Sequence, residues 1–302
     1  MDLFINILII IGIFGGLALI FGCLLVIASR FFAVKQDERA EKIIALLPGA
    51  NCGGCGYAGC ASYAEAVLSG EAKPNLCTSL SQEEINAIAE ISGAEASEKS
   101  LPTVAHIKCC GSNECTSNKY NYGGIDDCRS LIRLGGGEKS CVYSCIGLGN
   151  CVKACVFGAI SVKNGVAAVD TKRCKGCGSC VAACPKSLIE LIPATARFSV
   201  YCSSKDKGKA VNAICDNGCI ACGICVKNCP NSAITLKNNC AVIDYSLCDG
   251  CGICAEKCPK GTIRSTKGGK KAVKSSAPAV KTEKPASSTG TFSFDVKNTD
   301  KD

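Results

Sequence analysis

Histidine is all but missing from this chain of 302 residues: there is one, with one Met and no Trp. That shortage leaves no acid–base pair or activated nucleophile, and it argues against zinc sites of mixed Cys/His type. The one histidine, His106, reads as a surface or loop residue. Nucleotide-binding signatures are missing too. No Gly-x-Gly-x-x-Gly follows a strand and no P-loop is present, while Gly135-Gly136-Gly137 reads as a flexible loop. Hydride transfer is therefore not expected on this chain, nor is a nucleic-acid partner.

Charge is missing from Leu3 to Ser29, where nearly every residue is apolar or Gly. The stretch exceeds the roughly 20 residues that a helix needs to cross a bilayer. Only Asp2 precedes it, whereas Arg30, Lys35, Arg39 and Lys42 follow, so the positive-inside rule puts the N-terminus outside and the remainder in the cytoplasm. A cleaved signal peptide would need a basic start that Met1-Asp2-Leu3 lacks. Lipidation at Cys23 is disfavoured because the apolar run continues through Leu24 to Ile27. A single-pass anchor in the cell (inner) membrane is expected.

What the chain has in abundance is cysteine, 28 residues. Cys145, Cys151 and Cys155 recur 74 residues on as Cys219, Cys225 and Cys229, and Cys174, Cys177, Cys180 and Cys184 recur as Cys248, Cys251, Cys254 and Cys258. Structural zinc favours paired Cys-x-x-Cys. Here three cysteines at two-residue gaps are followed by a fourth, with Pro185, Pro230 and Pro259 directly after. That is the bacterial ferredoxin spacing of 4Fe–4S clusters, in which the fourth cysteine serves the partner cluster. A reducing cytoplasm suits such thiolates and disfavours disulfides.

The crossed rule assigns ligands. Cys219, Cys222 and Cys225 go with Cys258, and Cys248, Cys251 and Cys254 go with Cys229. In the first repeat, Cys174, Cys177 and Cys180 take Cys155. Cys145, Cys151 and Cys184 are one ligand short, because Leu148 stands where the second repeat has Cys222. Either Cys141 supplies the missing thiolate or the site holds a three-iron cluster. Cys141 has a repeat partner in Cys215, and Cys128 matches Cys202 at the same offset. Cys110, Cys115 and Cys128 with one further thiolate are candidates for a sixth cluster, the alternative being buried thiols. Cys240 aligns with Val166 and reads as a core thiol.

Upstream lies Cys52-Gly53-Gly54-Cys55-Gly56-Tyr57-Ala58-Gly59-Cys60, with Cys77 further on, a four-cysteine set for another 4Fe–4S cluster. Its glycines let the backbone wrap closely and turn amides toward the cluster. Helices are expected over Asp37–Leu47 and Ala61–Leu68. In the repeats, Lys163-Asn164-Gly165 between Ile160-Ser161-Val162 and Val166–Val169 signals a hairpin, copied at Ile234–Ile243. Ile160, Ile189, Ile234 and Ile263, each five residues after a fourth cysteine, are expected core residues.

The expected fold is α+β: an anchor (1–34), a small 4Fe–4S module (35–100), a Cys-containing connector (101–140), two tandem ferredoxin-like domains (141–200 and 201–268) and a disordered tail (269–302). The basic run from Lys267 to Lys274 opens that tail.

The N-terminal anchor, the run from Leu47 to Cys60 and the ferredoxin repeats together resemble the B subunit of Rnf complexes, in the long, multi-cluster form of anaerobes. The resemblance covers residues 1 to about 265. It implies a component of a membrane-bound ferredoxin:NAD⁺ oxidoreductase that couples electron flow to Na⁺ or H⁺ transport. Reduced ferredoxin would be the donor, other Rnf-type membrane subunits the partners, and NAD⁺ would be reduced on another chain. The rival reading is a membrane-tethered polyferredoxin that serves another oxidoreductase without ion coupling; a zinc scaffold is weaker still.

Overall fold

The computed structural model describes residues 2–31, 37–95 and 98–266. The expected tail lies outside them.

Helix α1 (Asp2–Phe31) carries the apolar stretch, and among the described residues nothing buries it. Leu19 and Leu25 are each at least 70% exposed, an arrangement water penalises and lipid does not.

Three helices build the following module. Asp37 caps α2 (Glu38–Leu46), its carboxylate accepting from the Arg39 amide. Helix α3 (Cys60–Leu68) starts at a ligand-type cysteine. Helix α4 (Gln82–Ser92) begins with a reciprocal capping box between Ser81 and Glu84 and ends at Gly93 in the left-handed conformation. Ile43, Val67, Leu80, Ile85 and Ile88 meet in the core, with Cys55, Cys60 and Cys77 packed against it. Each large aliphatic side chain buried there is worth about 1.5–3 kcal/mol.

The remainder folds as two similar units. The first holds β1 (Thr103–Ile107), α5 (Cys128–Ile132), α6 (Asn150–Lys153), β2 (Ile160–Lys163), β3 (Val166–Val169), α7 (Ser179–Ala183) and β4 (Ile189–Pro193). The second holds β5 (Phe198–Val200), α8 (Gly208–Ile214), α9 (Ile224–Lys227), β6 (Ile234–Lys237), β7 (Cys240–Ile243), α10 (Ile253–Glu256) and β8 (Ile263–Ser265). Hairpins β2–β3 and β6–β7 fall where the turn chemistry puts them, the first turning on Asn164 and Gly165, both at positive φ.

A second antiparallel pair closes each unit: β1 with β4, Ile107 opposite Ile189, and β5 with β8, Val200 opposite Ile263. Two chain segments therefore sit differently from the expectation. Strand β1, in the presumed connector, is an integral strand of the first unit. Strand β5, at the end of the presumed first domain, belongs to the second. Neither strand is flagged by a local turn, because each pairs with a strand more than sixty residues away. His106 departs from the sequence reading as well. It lies on β1, 4% exposed, with Nε2–H donating to the Val200 carbonyl at 2.9 Å and its ring edge-on to Tyr201. Ile160, Ile189, Ile234 and Ile263 are buried as expected.

Candidate metal centres

In the N-terminal module the loop before α3 is held from both sides. Asn51, at φ +44°, accepts from the Cys60 amide through Oδ1 at 2.8 Å. Gly53 and Gly56 take positive φ that a larger residue would resist. The result gathers Cys52, Cys55 and Cys60 around Cys77, whose thiol is pushed up first by burial and then by those three neighbours. Two of the sulfurs are met by the amide two residues on: Cys52 by Gly54 and Cys77 by Ser79. Burial pushes the Tyr63 hydroxyl up to about 12, and it donates to the Lys73 carbonyl behind the site.

The ferredoxin-like units repeat this logic. Cys180 is pushed up to about 11 by burial and then by Cys174, Cys177 and Cys155 around it. Cys225, also about 11, has Cys219, Cys258 and Cys222 as neighbours, and Cys254, about 11, has Cys248 and Cys251. Cys229 packs into the same core as Cys248 and Cys254. The fourth cysteines accept amides four residues on, Cys155 from Ala159 and Cys229 from Ala233, each at 3.3 Å. Cys145 and Cys219 accept from Gly147 and Ala221, again two residues on.

The site at Cys145, Cys151 and Cys184 differs from the expectation. Its fourth thiol is Cys128, at the start of α5. Burial and then Cys145, Cys184 and Cys128 push Cys151 up to about 12, and all four cysteines line one void. Asn150 fixes Cys128 in place, its Oδ1 accepting the Cys128 amide at 2.8 Å. Leu148 packs into the small apolar cluster of Cys128, Leu131 and Ile146. Cys141 stands elsewhere, with Cys109, Cys202 and Cys215 as neighbours. Nor do Cys110, Cys115 and Cys128 converge on one another. Cys110 donates to the Asn217 carbonyl, and Cys115 accepts from Ser112 Oγ and Asn217 Nδ2.

Cys240 is buried, as expected of a core thiol, but it also has a polar role. Its thiol donates to the Cys202 carbonyl at 3.3 Å, and hydrogen bonding from it toward the neighbouring sulfurs is the leading reason that Cys202 is lowered to about 7 and Cys219 to about 6.

These donor sets fit multi-iron clusters. The void at Cys128, Cys145, Cys151 and Cys184 measures 420 Å³ and that at Cys219, Cys222, Cys225 and Cys258 measures 390 Å³, counting space open to solvent. Amides aimed at sulfur favour thiolate ligands and help to set cluster potentials.

The sites also lie near one another in turn. The thiols of Cys52 and Cys177 interact directly, and Ser179 Oγ donates to the Cys52 carbonyl at 2.8 Å. Cys151 neighbours Cys180, and Cys225 neighbours Cys254.

Clustered thiols, amide-to-sulfur bonds and paired hairpin units define an iron–sulfur electron-transfer protein of ferredoxin-like build. Comparisons with known proteins narrow this class. An Fe-S cluster family matches residues 47–79, a 4Fe-4S dicluster domain 144–189 and a 4Fe-4S binding domain 241–264. The B subunit of the Na(+)-translocating ferredoxin:NAD(+) oxidoreductase complex of Acetobacterium woodii is 43% identical over 80% of this chain and 73% of its own length. The B subunit of the proton-translocating ferredoxin:NAD(+) oxidoreductase complex of Clostridium ljungdahlii is 41% identical over 82% and 87%. The B subunit of the ion-translocating oxidoreductase complex of Methanosarcina acetivorans is 40% identical over 79% and 90%. The chain belongs to the family of Rnf-complex B subunits, components of the ion-translocating ferredoxin:NAD⁺ oxidoreductases.

Proposed function

We propose that five 4Fe–4S sites on this chain carry electrons from reduced ferredoxin into an Rnf-type membrane complex. Their ligand sets are Cys52, Cys55, Cys60 and Cys77; Cys155, Cys174, Cys177 and Cys180; Cys128, Cys145, Cys151 and Cys184; Cys219, Cys222, Cys225 and Cys258; and Cys229, Cys248, Cys251 and Cys254. The clusters, when bound, supply one-electron storage at each site. The protein's part is to hold thiolates in order. The observation that carries the reading is the contact of Cys52 with Cys177 and the electrostatic proximity of Cys151 to Cys180, which bring three sites close to one another.

Helix α1 serves as a single-pass anchor with its N-terminus outside, the cluster-bearing units being cytoplasmic. Its span from Phe4 to Ser29 holds no charged side chain, so ion passage belongs to other subunits. Hydride transfer to NAD⁺ likewise falls to a partner chain.

Cys55→Ala tests the role. In membranes containing the assembled complex, the variant chain should lose about four irons. Ferredoxin-dependent NAD⁺ reduction should stop while the two ferredoxin-like units stay folded. Undiminished NAD⁺ reduction by the variant complex would refute the proposal.

A further inference from the structure

Eight cysteines lie outside the five proposed ligand sets, and the fold brings four of them together around one space. Cys109, Cys141, Cys202 and Cys215 line a single void between the two units, with Cys110 also on its wall. Counting space open to solvent it measures 340 Å³, close to the sizes of the two ferredoxin-type voids. A Cβ built on Gly111 would lie 3.7 Å from both Cys109 Sγ and Cys215 Sγ, so those sulfurs face each other across a residue without a side chain.

We propose that these four cysteines bind a sixth iron–sulfur cluster, held between the units with two ligands from each. The inference rests on the iron–sulfur reading above.

Each of the four sulfurs meets the amide of the residue two positions on: Cys109 that of Gly111, Cys141 that of Tyr143, Cys202 that of Ser204 and Cys215 that of Asn217. Cys52, Cys77, Cys145 and Cys219 carry the same mark at the other sites. For Cys110 the interaction is reversed: its thiol donates to a carbonyl, as a protonated, unligated group does.

The arrangement is also pseudo-twofold. Cys109 follows β1 by two residues and Cys202 follows β5 by two. Cys109 Sγ accepts the amide of Cys145, and Cys202 Sγ accepts that of Cys219, each at 3.3 Å. Cys145 and Cys219 are equivalent positions of the repeat, as are Cys141 and Cys215. The counterpart of Cys202 is thus Cys109 and not Cys128. A plain offset hides this because 36 residues separate Cys109 from Cys145, against 17 between Cys202 and Cys219.

Charge points the same way. Lys139 is 2% exposed, and its ammonium donates to the carbonyls of Gly111 and Gly165. Among the described residues no carboxylate pairs with it. A buried ammonium needs negative charge nearby. It lies within electrostatic reach of Cys109 and Cys145, where thiolate-bound clusters would provide that charge. The site then stands one backbone amide from a ligand of each unit, so a single electron can leave the first unit and reduce the second through it, with no bond made or broken.

Iron and acid-labile sulfide per full-length chain, purified anaerobically, give the test. Six four-iron sites predict about 24 irons. Cys141→Ser and Cys215→Ser should each lose about four, and the double variant the same four, because both serve one cluster. Cys110→Ser should lose none. A wild-type count of about 20, or a double variant short of about eight, overturns the proposal. The wild-type count decides even if the variants fail to fold. Protein with no iron at all would instead overturn the iron–sulfur reading itself.

Discussion

Leu148 occupies the position that Cys222 takes in the second unit, and the exchange is compensated from a distance. Losing one thiolate would leave a cluster with an open corner. The first unit carries extra residues between β1 and Cys145, and within them Asp127 caps α5, while Asn150 at the start of α6 clamps the Cys128 amide. Cys128 is thereby set beside Cys151, and Leu148 covers the apolar side of α5. Replacing Cys128 by Ser should cost the first unit one cluster, about four irons per chain, while Cys115→Ser costs none. The decisive variant is Cys128→Ser with Leu148→Cys, which returns a thiolate to the position used in the second unit. Iron analysis should show at least partial recovery of the lost cluster. No recovery, or full iron in Cys128→Ser alone, would rule out Cys128 as the substitute ligand.

At the scale of elements, the two short strands β1 and β5 do more than close their units, since His106 on one is bonded to Val200 on the other. Burial is the leading cause that holds the His106 pKa below its ordinary 6.5, with the Val200 carbonyl and Glu190 acting the other way and Lys108 adding to the depression. A base depressed on folding releases its proton to fold. Its contribution is therefore intact above about 6.5 and lost as pH falls through the depressed folded value. The packing of the units should loosen on mild acidification. His106→Phe should remove that slope while weakening the contact at neutral pH by about 1 kcal/mol, the worth of one hydrogen bond. Amide exchange of β1 and β5 from pH 7.5 to about 5.5 reads both effects, and an unchanged slope in the variant would show that other groups carry it. These strands also mark the limit of what the sequence discloses. The hairpins were legible because Asn164-Gly165 is a local turn with a local cause, and the isoleucines because they repeat. Helix α4, with its Ser81–Glu84 capping box, carries a legible signature too, although it is not among the expected helices. Strands β1 and β5 were not legible, because nothing near them in the chain names their partners. Most of the cysteines proposed as ligands follow from spacing. Cys128 and the group at Cys109 do not, because an insertion breaks the offset and only the fold shows which thiols meet.

Across the described residues the cysteines proposed as ligands lie along one path. It runs from Cys52 to Cys177, from Cys180 to Cys151, through Cys145 and Cys219 on either side of the central void, and from Cys225 to Cys254. Electron transfer along such a path depends on its closest approaches, and the first of them rests on a glycine. A Cβ on Gly54 would come within 2.9 Å of the Cα, Cβ and carbonyl oxygen of Cys177, so the N-terminal module approaches the first unit as closely as a bare backbone allows. Backbone cannot swing aside as a flexible side chain does. Gly54→Ala should therefore push the two apart without removing any ligand. Iron per chain should stay at the wild-type value, because Cys52, Cys55, Cys60 and Cys77 are untouched. Magnetic coupling between the two nearest reduced clusters should weaken in the electron paramagnetic resonance spectrum, and ferredoxin-dependent NAD⁺ reduction by the complex should slow by roughly tenfold if the separation costs about 1.4 kcal/mol at that step. Retained iron with unchanged coupling and rate would mean that this contact is not on the route. Loss of iron would mean that Gly54 is needed to build the site and not to join it to the next.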